Sequence, residues 1–332
     1  MKKAISVLKY VLSLLLAIVL LYFAFRNIDL QEFISKSKEV DYSWVVVSIL
    51  LSMVAYYARA YRWNLLLKPL GFPKLNVHRT NLAILIGYLA NLAFPRLGEV
   101  TRCAMLKRSD DVPVATSFGT VITERIIDMI TLLVLILLTL LVEYERLMTF
   151  MSNMIEGLEG VSGIVWKSAL VLLIGGIAFL ALAYFLYQKS VKVRSFINSL
   201  IEGLLSLRKV QNLTGFIIST LVLWVTYYFM SYLIVFSIPE TSHLSWMVGI
   251  MLLITGGLAL AVPVQGGIGT YHAFISAMLL LYGVDQTTGV FLATLLHSSQ
   301  IVAIAGFGGI ALLISFLIQK KKPDAETTES DE

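Results

Sequence analysis

Arg96, Glu99 and Arg102 recur at i, i+3 and i+6 in the stretch Phe94-Pro-Arg-Leu-Gly-Glu-Val-Thr-Arg. On a helix that spacing puts all three on one face. A charged side chain inside a bilayer costs roughly 2.5–3.5 kcal/mol on insertion scales, so three together need partners or water. A half-helix opening at Gly98 would add free N–H groups and the positive end of its dipole. With Arg96 beside it, this is the chemistry of an anion site suited to a phosphate, which a guanidinium grips through two parallel N–H donors. The same charges also read as interfacial groups that pair with one another.

A second constellation is Glu124, Arg125 and Asp128. Glu124 and Asp128 are i and i+4 on one helix face. Arg125 lies about 100° round the helix. One cation beside two carboxylates leaves negative charge in excess unless Arg96 or Arg102 joins them. A structural ion network and a network that switches partners during transport both fit. Secondary candidates are Arg59, Arg62, Asn91, Gln265 and His272. Arg59 and Arg62, with Trp63, close an apolar run, and the simpler reading is snorkelling to interfacial water. Asn91, four residues before Pro95, is placed to bond the carbonyls that the proline frees. His272, and His297 in the last apolar run, could carry a proton near neutral pH, or simply be hydrogen-bonded.

The elements that must hold these residues are membrane helices. The chain has 332 residues, of which 58% are hydrophobic and 14% charged, and its mean hydropathy is +0.83. Soluble domains carry about 25% charged residues. Six apolar runs have the length of full spans, about 5–25, 43–62, 117–142, 164–187, 213–237 and 287–318. The first is read as an uncleaved membrane helix, because it is too long for a signal peptide and no small-x-small site follows. The expected fold is all-α and polytopic, a single transmembrane domain over 1–319 followed by a disordered cytoplasmic tail over 320–332.

Two further apolar regions, 80–108 and 246–283, are broken by Pro95 and Gly98 in the first and by Pro263, Gly266, Gly267 and Gly269 in the second. Proline blocks helix continuation and glycine permits the turn. Broken backbone at membrane depth is tolerated only under cover of protein or in a wet cavity. With the N-terminus inside, 20 of the 26 Lys and Arg fall on the cytoplasmic side. That holds only if 80–108 enters and leaves from the cytoplasm and 246–283 from outside. Both breaks read L-A-x-P-x-x-G, and each sits between full spans at matched distances. Opposite orientation of two such copies, with halves at about 43–142 and 213–318, is the pattern of an inverted-repeat transporter. Amphipathic stretches at 147–158 and 193–205 fit the outer and inner interfaces.

Several chemistries lack their signatures. There is no phosphate-loop motif, no H-E-x-x-H and no Cys/His cluster at metal spacing, and the single Cys103 cannot form an intramolecular disulfide. Neither a cofactor nor a metal is expected. No basic patch with interleaved aromatics points to nucleic acid.

The strings Arg59-Ala-Tyr-Arg-Trp-Asn, Asn91-Leu-Ala-Phe-Pro-Arg-Leu-Gly-Glu, Glu124-Arg-Ile-Ile-Asp and Pro263-Val-Gln-Gly-Gly-Ile-Gly resemble the flippase-like family, the membrane region of lysylphosphatidylglycerol synthases. The resemblance covers nearly the whole chain. It implies translocation of an anionic phospholipid or polyprenyl-linked lipid between leaflets, in the plasma (inner) membrane with both termini cytoplasmic. The aminoacyl-transferase domain of full-length synthases is absent from the sequence, so lysyl transfer is not expected. The family's second motif often reads P-x-P-G-G-x-G-x-x-E, where this chain has Gln265 and His272. Two rivals stay open. One is a membrane enzyme acting on a lipid carrier through Glu99, Glu124 and Asp128. The other is a non-catalytic partner of a lipid-modifying membrane enzyme.

Overall fold

The computed structural model describes residues 30–94, 97–145, 205–262 and 264–319, with Tyr22, Met148, Val191, Arg194, Ser195, Asn198 and Ile201 besides. The first and fourth expected spans and most of both amphipathic stretches lie outside these residues. So do Pro95, Arg96 and Pro263. Among the described residues the chain is helical, without a strand. The helices are α1 (Leu30–Glu39), α2 (Tyr42–Leu67), α3 (Val77–Ala93), α4 (Leu97–Asp110), α5 (Val114–Val142), α6 (Leu213–Tyr232), α7 (Trp246–Ala261), α8 (Thr270–Leu280) and α9 (Gln286–Gln319).

Three stretches are long and apolar enough to cross a membrane: Tyr42–Leu70, Leu213–Ser237 and Gln286–Leu317. The 29-residue α5 is as long, but Glu124, Arg125 and Asp128 interrupt its apolar run. The other helices are shorter and come as two broken pairs, α3–α4 and α7–α8. Each half of the chain therefore has the same element order: a long helix, a broken pair, a long helix.

Both breaks have the backbone that a following proline imposes. Phe94, before Pro95, is extended (φ −140°, ψ 125°), and so is Val262 before Pro263 (φ −64°, ψ 130°). The second break continues as a 3₁₀ turn, Gln265–Gly267. There Gly266, Gly267 and Gly269 take φ of 60°, 74° and 85°, values that cost an L side chain free energy.

Small residues let the broken pairs close. A Cβ on Gly87 would stand 2.8 Å from the Gly98 carbonyl oxygen and 3.1 Å from the Arg102 Cβ. The backbones of α3 and α4 thus meet with almost no side chain between them. In the second pair, Gly256 lies against the Tyr271 ring. Around these crossings sit two apolar cores. One is built on Trp63, Leu67, Ile84, Cys103 and Leu106, the other on Met251, Leu252, Tyr271, Ile275, Met278 and Leu292. The α9 helix packs on α8 and crosses to α3, where Gly308 meets the Leu85 carbonyl.

Outside the spans, α1 is pinned by Lys36, which bonds Glu240 and lies 3.4 Å from Glu32. Burial works against the Lys36 ammonium, but the Glu240 and Glu32 carboxylates outweigh it and raise its pKa. The Lys36 bond in turn lowers the Glu240 pKa. A depressed carboxylate contributes stability above its unfolded pKa and loses it as pH falls through the folded value. A raised ammonium contributes below its unfolded pKa and loses it as pH rises through the folded value. Hydrogen-exchange protection of residues 30–39, taken relative to the intrinsic amide rate at each pH, should therefore be greatest near neutral pH, with α1 loosening both below the carboxylate range and above the lysine range. In Glu240→Gln the acid-side change should vanish.

Gly98→Leu should lower the thermal unfolding midpoint in detergent, by about 1–3 kcal/mol of stability, because its Cβ would meet the Asn91 amide at 2.6 Å. Gly309→Ala, with nothing within 4 Å of the added carbon, should leave the midpoint in place.

Candidate functional site

Four arginines and three carboxylates meet between α2, α4 and α5. Glu124, fully buried on α5, is the hub. Arg59 on α2 bonds its Oε1 through Nη1. Arg102 on α4 reaches its Oε2 at 3.3 Å, and Arg62 Nη2 lies 3.7 Å from Oε1. One turn on, Asp128 accepts from Arg62 Nη2 at 2.8 Å and from Arg59 Nη2 at 3.2 Å. Arg59 also donates to the Tyr227 hydroxyl of α6 at 3.0 Å. On the more exposed flank, Arg125 Nη2 donates to Glu99 Oε1 at 2.7 Å.

Neighbours fix the rotamers of these groups. The Trp63 indole donates to Thr120 Oγ1 at 2.8 Å. That holds its ring beneath the Arg102 guanidinium, 4.7 Å from the ring centroid, in a cation–π contact. The side-chain amide oxygen Oδ1 of Asn91 accepts from the Gly98 N–H at 2.6 Å. This corrects the expectation that Asn91 serves freed carbonyls. It caps a donor at the start of α4 instead, because α4 opens at Leu97 and the first amides of a helix have no acceptor within the helix.

The network is over-supplied with donors. Arg59, Arg62 and Arg102 are 3%, 0% and 3% exposed. Yet Arg59 Nε, Arg62 Nε and Nη1, and Arg102 Nε and Nη2 have no hydrogen-bond partner among the described residues. Against these five nitrogens stands one spare acceptor of the network, Glu99 Oε2. Four guanidinium groups against three carboxylates also leave one positive charge in surplus.

Of the residues singled out from the sequence, the structure brings Glu99, Arg102, Glu124, Arg125 and Asp128 together. It adds Arg59 and Arg62, whose burial rules out snorkelling: they face the carboxylates of α5. Arg96 is outside the described residues. Gln265, which opens the 3₁₀ turn, and His272 lie in the second broken pair, apart from this network. Tyr227 and Thr120 were not anticipated. A hydroxyl on an apolar helix carries no spacing signal, and only the packing of α6 and α5 on α2 reveals their role.

The profile of the lysylphosphatidylglycerol synthase TM region matches residues 10–308. The chain belongs to this family. Among curated proteins it is 29% identical over 123 residues to glycosyltransferase AglD of Haloferax volcanii, which covers 37% of this chain and 20% of that protein. It is 24% identical over 127 residues to a UPF0104 membrane protein of Methanocaldococcus jannaschii, which covers 37% of this chain and 38% of that one. The chain thus spans well under two thirds of either relative. No solved structure matches.

Removing one partner of a buried ion pair strands the other and costs about 3–5 kcal/mol. Glu124→Gln should therefore lower the unfolding midpoint sharply. Asp110→Asn, which breaks the exposed Arg79 pair at 3.3 Å, should cost under about 1 kcal/mol. Denaturant or thermal unfolding of the detergent-solubilised variants checks both.

Proposed function

We propose that this chain is a lipid transporter that moves an anionic lipid, a phospholipid or a polyprenyl-linked lipid, between leaflets by alternating access. The observation that carries the reading is the set of five buried guanidinium nitrogens without a hydrogen-bond partner among the described residues, around a network with one surplus positive charge. Unmade hydrogen bonds of buried charged groups cost free energy, and a phosphate would satisfy several of them at once and neutralise the surplus. The positive dipole end of α4, at the break beside the network, adds to the attraction.

An apolar groove of about 690 Å³ runs between α2 and α6, lined by Met53, Val54, Tyr57, Ile218 and Val222 among others. Arg59 and Tyr227 join the same two helices, so an acyl or prenyl chain could follow the groove while its phosphate meets the arginines. The topology we propose has six full spans, both termini cytoplasmic in the plasma (inner) membrane, and the two broken pairs opening to opposite faces as an inverted repeat. Family membership and the membrane-length helices are consistent with it.

The rival reading, an enzyme acting on a lipid carrier, draws on the glycosyltransferase title of one relative. It needs a carboxylate at liberty to accept a proton, whereas Glu99, Glu124 and Asp128 are all held by arginines. These contacts favour transport.

Reconstitution tests the reading. Vesicles containing the protein should exchange fluorescent phosphatidylglycerol between leaflets faster than protein-free vesicles. Arg62→Lys keeps the charge but loses the planar fork, and should cut that rate at least about tenfold, or ~1.4 kcal/mol of barrier. Arg79→Gln should not change it. No acceleration for any anionic lipid would overturn the proposal.

A further inference from the structure

Three helices of the second half, α7, α8 and α9, carry their titratable groups in one place. Across α7, α8 and α9 the sequence holds no Asp, Glu, Lys or Arg. The titratable side chains of those three helices are Tyr271, His272 and His297, and all three touch. The imidazoles of His272 (α8) and His297 (α9) stack with centroids 5.3 Å apart and their planes at 22°. Tyr271 meets His297 edge-on at 5.0 Å, and Gln300 Nε2 approaches its hydroxyl at 3.5 Å. The two histidines are 8% and 4% exposed.

The pair sits at the second break. The His297 ring lies against the backbone of Gly266 and Gly267, and a Cβ on Gly267 would come 3.7 Å from its Cε1. That turn is the left-handed glycine segment which interrupts the helix. The groups that face the pair come from each packed element. The α8 helix brings Tyr271, which meets the His297 ring, and α9 brings Gln300, which reaches the Tyr271 hydroxyl; α7 holds no titratable side chain. The α3 helix packs on the turn itself.

We infer that His272 and His297 form a single-proton site, and that the proton it takes up is the ion coupled to movement of the second broken pair. This rests on the transport function proposed above. A neutral imidazole has one lone pair free to accept a proton. Two rings at this separation, shielded from water, act as one titrating unit, because the first charge opposes the second. Proton uptake converts one imidazole to imidazolium, with the proton drawn from solvent. A buried cation without a carboxylate on its own three helices is costly, so protonation favours the arrangement in which water reaches the Gly266–Gly269 turn. Deprotonation favours the enclosed arrangement. The chain then has two unlike sites, an arginine-rich anion site on one broken pair and a proton site on the other.

Two measurements on the full chain test this. In ¹⁵N-histidine NMR of the detergent-solubilised wild type, acidification from about pH 8 down through and below the ordinary histidine range should add one proton shared by the two rings. Zero protons, or two taken up independently, would overturn the site. His272→Gln and His297→Gln should each shift the resonances of the other ring, while His243→Gln should leave both in place. Because the wild type carries the measurement, a variant that fails to fold does not decide it.

In phosphatidylglycerol vesicles with an imposed pH gradient, one coupled proton should change the inside-to-outside ratio of labelled lipid by up to about tenfold per pH unit. His297→Gln should abolish that response. Lipid exchange that ignores the gradient would overturn the coupling and leave the transport function standing. One-proton uptake in the NMR with no lipid exchange at all would overturn the function and leave the proton site.

Discussion

The helices of the first half are organised around a carboxylate that has no water to turn to. Glu124 lies in a largely apolar 29-residue helix, beside Arg125 and one turn before Asp128, and is fully buried. A lone buried carboxylate would cost several kcal/mol. Its cost is offset by Arg59, Arg62 and Arg102, drawn from two other helices. Those arginines in turn require Asp128, Tyr227 and the Trp63 ring. The ion network therefore dictates how α2, α4 and α5 pack, and apolar contacts fill in around it. The positions of Gly87 and Gly98 belong to the same constraint, because only a close crossing of α3 and α4 lets Arg102 reach the hub.

Much of this was legible in the sequence. The i, i+4 pair of Glu124 and Asp128 and the demand for a further cation pointed to Arg96 or Arg102, and Arg102 reaches Glu124. Pro95 and Pro263 located both breaks, since proline forces its predecessor out of the helix, and Phe94 and Val262 are extended as that rule requires. The glycines after Pro263 take the left-handed backbone that their type suggested. What the sequence concealed was partnership across distance. Arg59 and Arg62 look like interfacial arginines because they close an apolar run. Their burial depends on a helix more than sixty residues away supplying two carboxylates at matching height. The Asn91 cap was misjudged for a related reason: an amide side chain can donate or accept, and only the fold decides which.

The two halves share an order of elements and differ in chemistry. The first places its charges in the core, where they cross-link helices. The second has charge-free helices and relies on apolar packing around Tyr271 and Met251, with two stacked histidines as its polar feature. Similar breaks can thus serve different ligands, because the backbone device is separate from the side chains that line it.

The α9 helix has a mechanical consequence. Its 34 residues extend about 51 Å at 1.5 Å per residue, against a hydrocarbon core of roughly 30 Å. Its far turns still present Leu313, Phe316 and Leu317 outward. Standing upright it would push apolar surface beyond the hydrocarbon. The hydrophobic mismatch is relieved by tilting the helix or by stretching the neighbouring lipids. Either response distorts the bilayer along one flank of the protein, where the annular lipids no longer pack as they do in the bulk membrane.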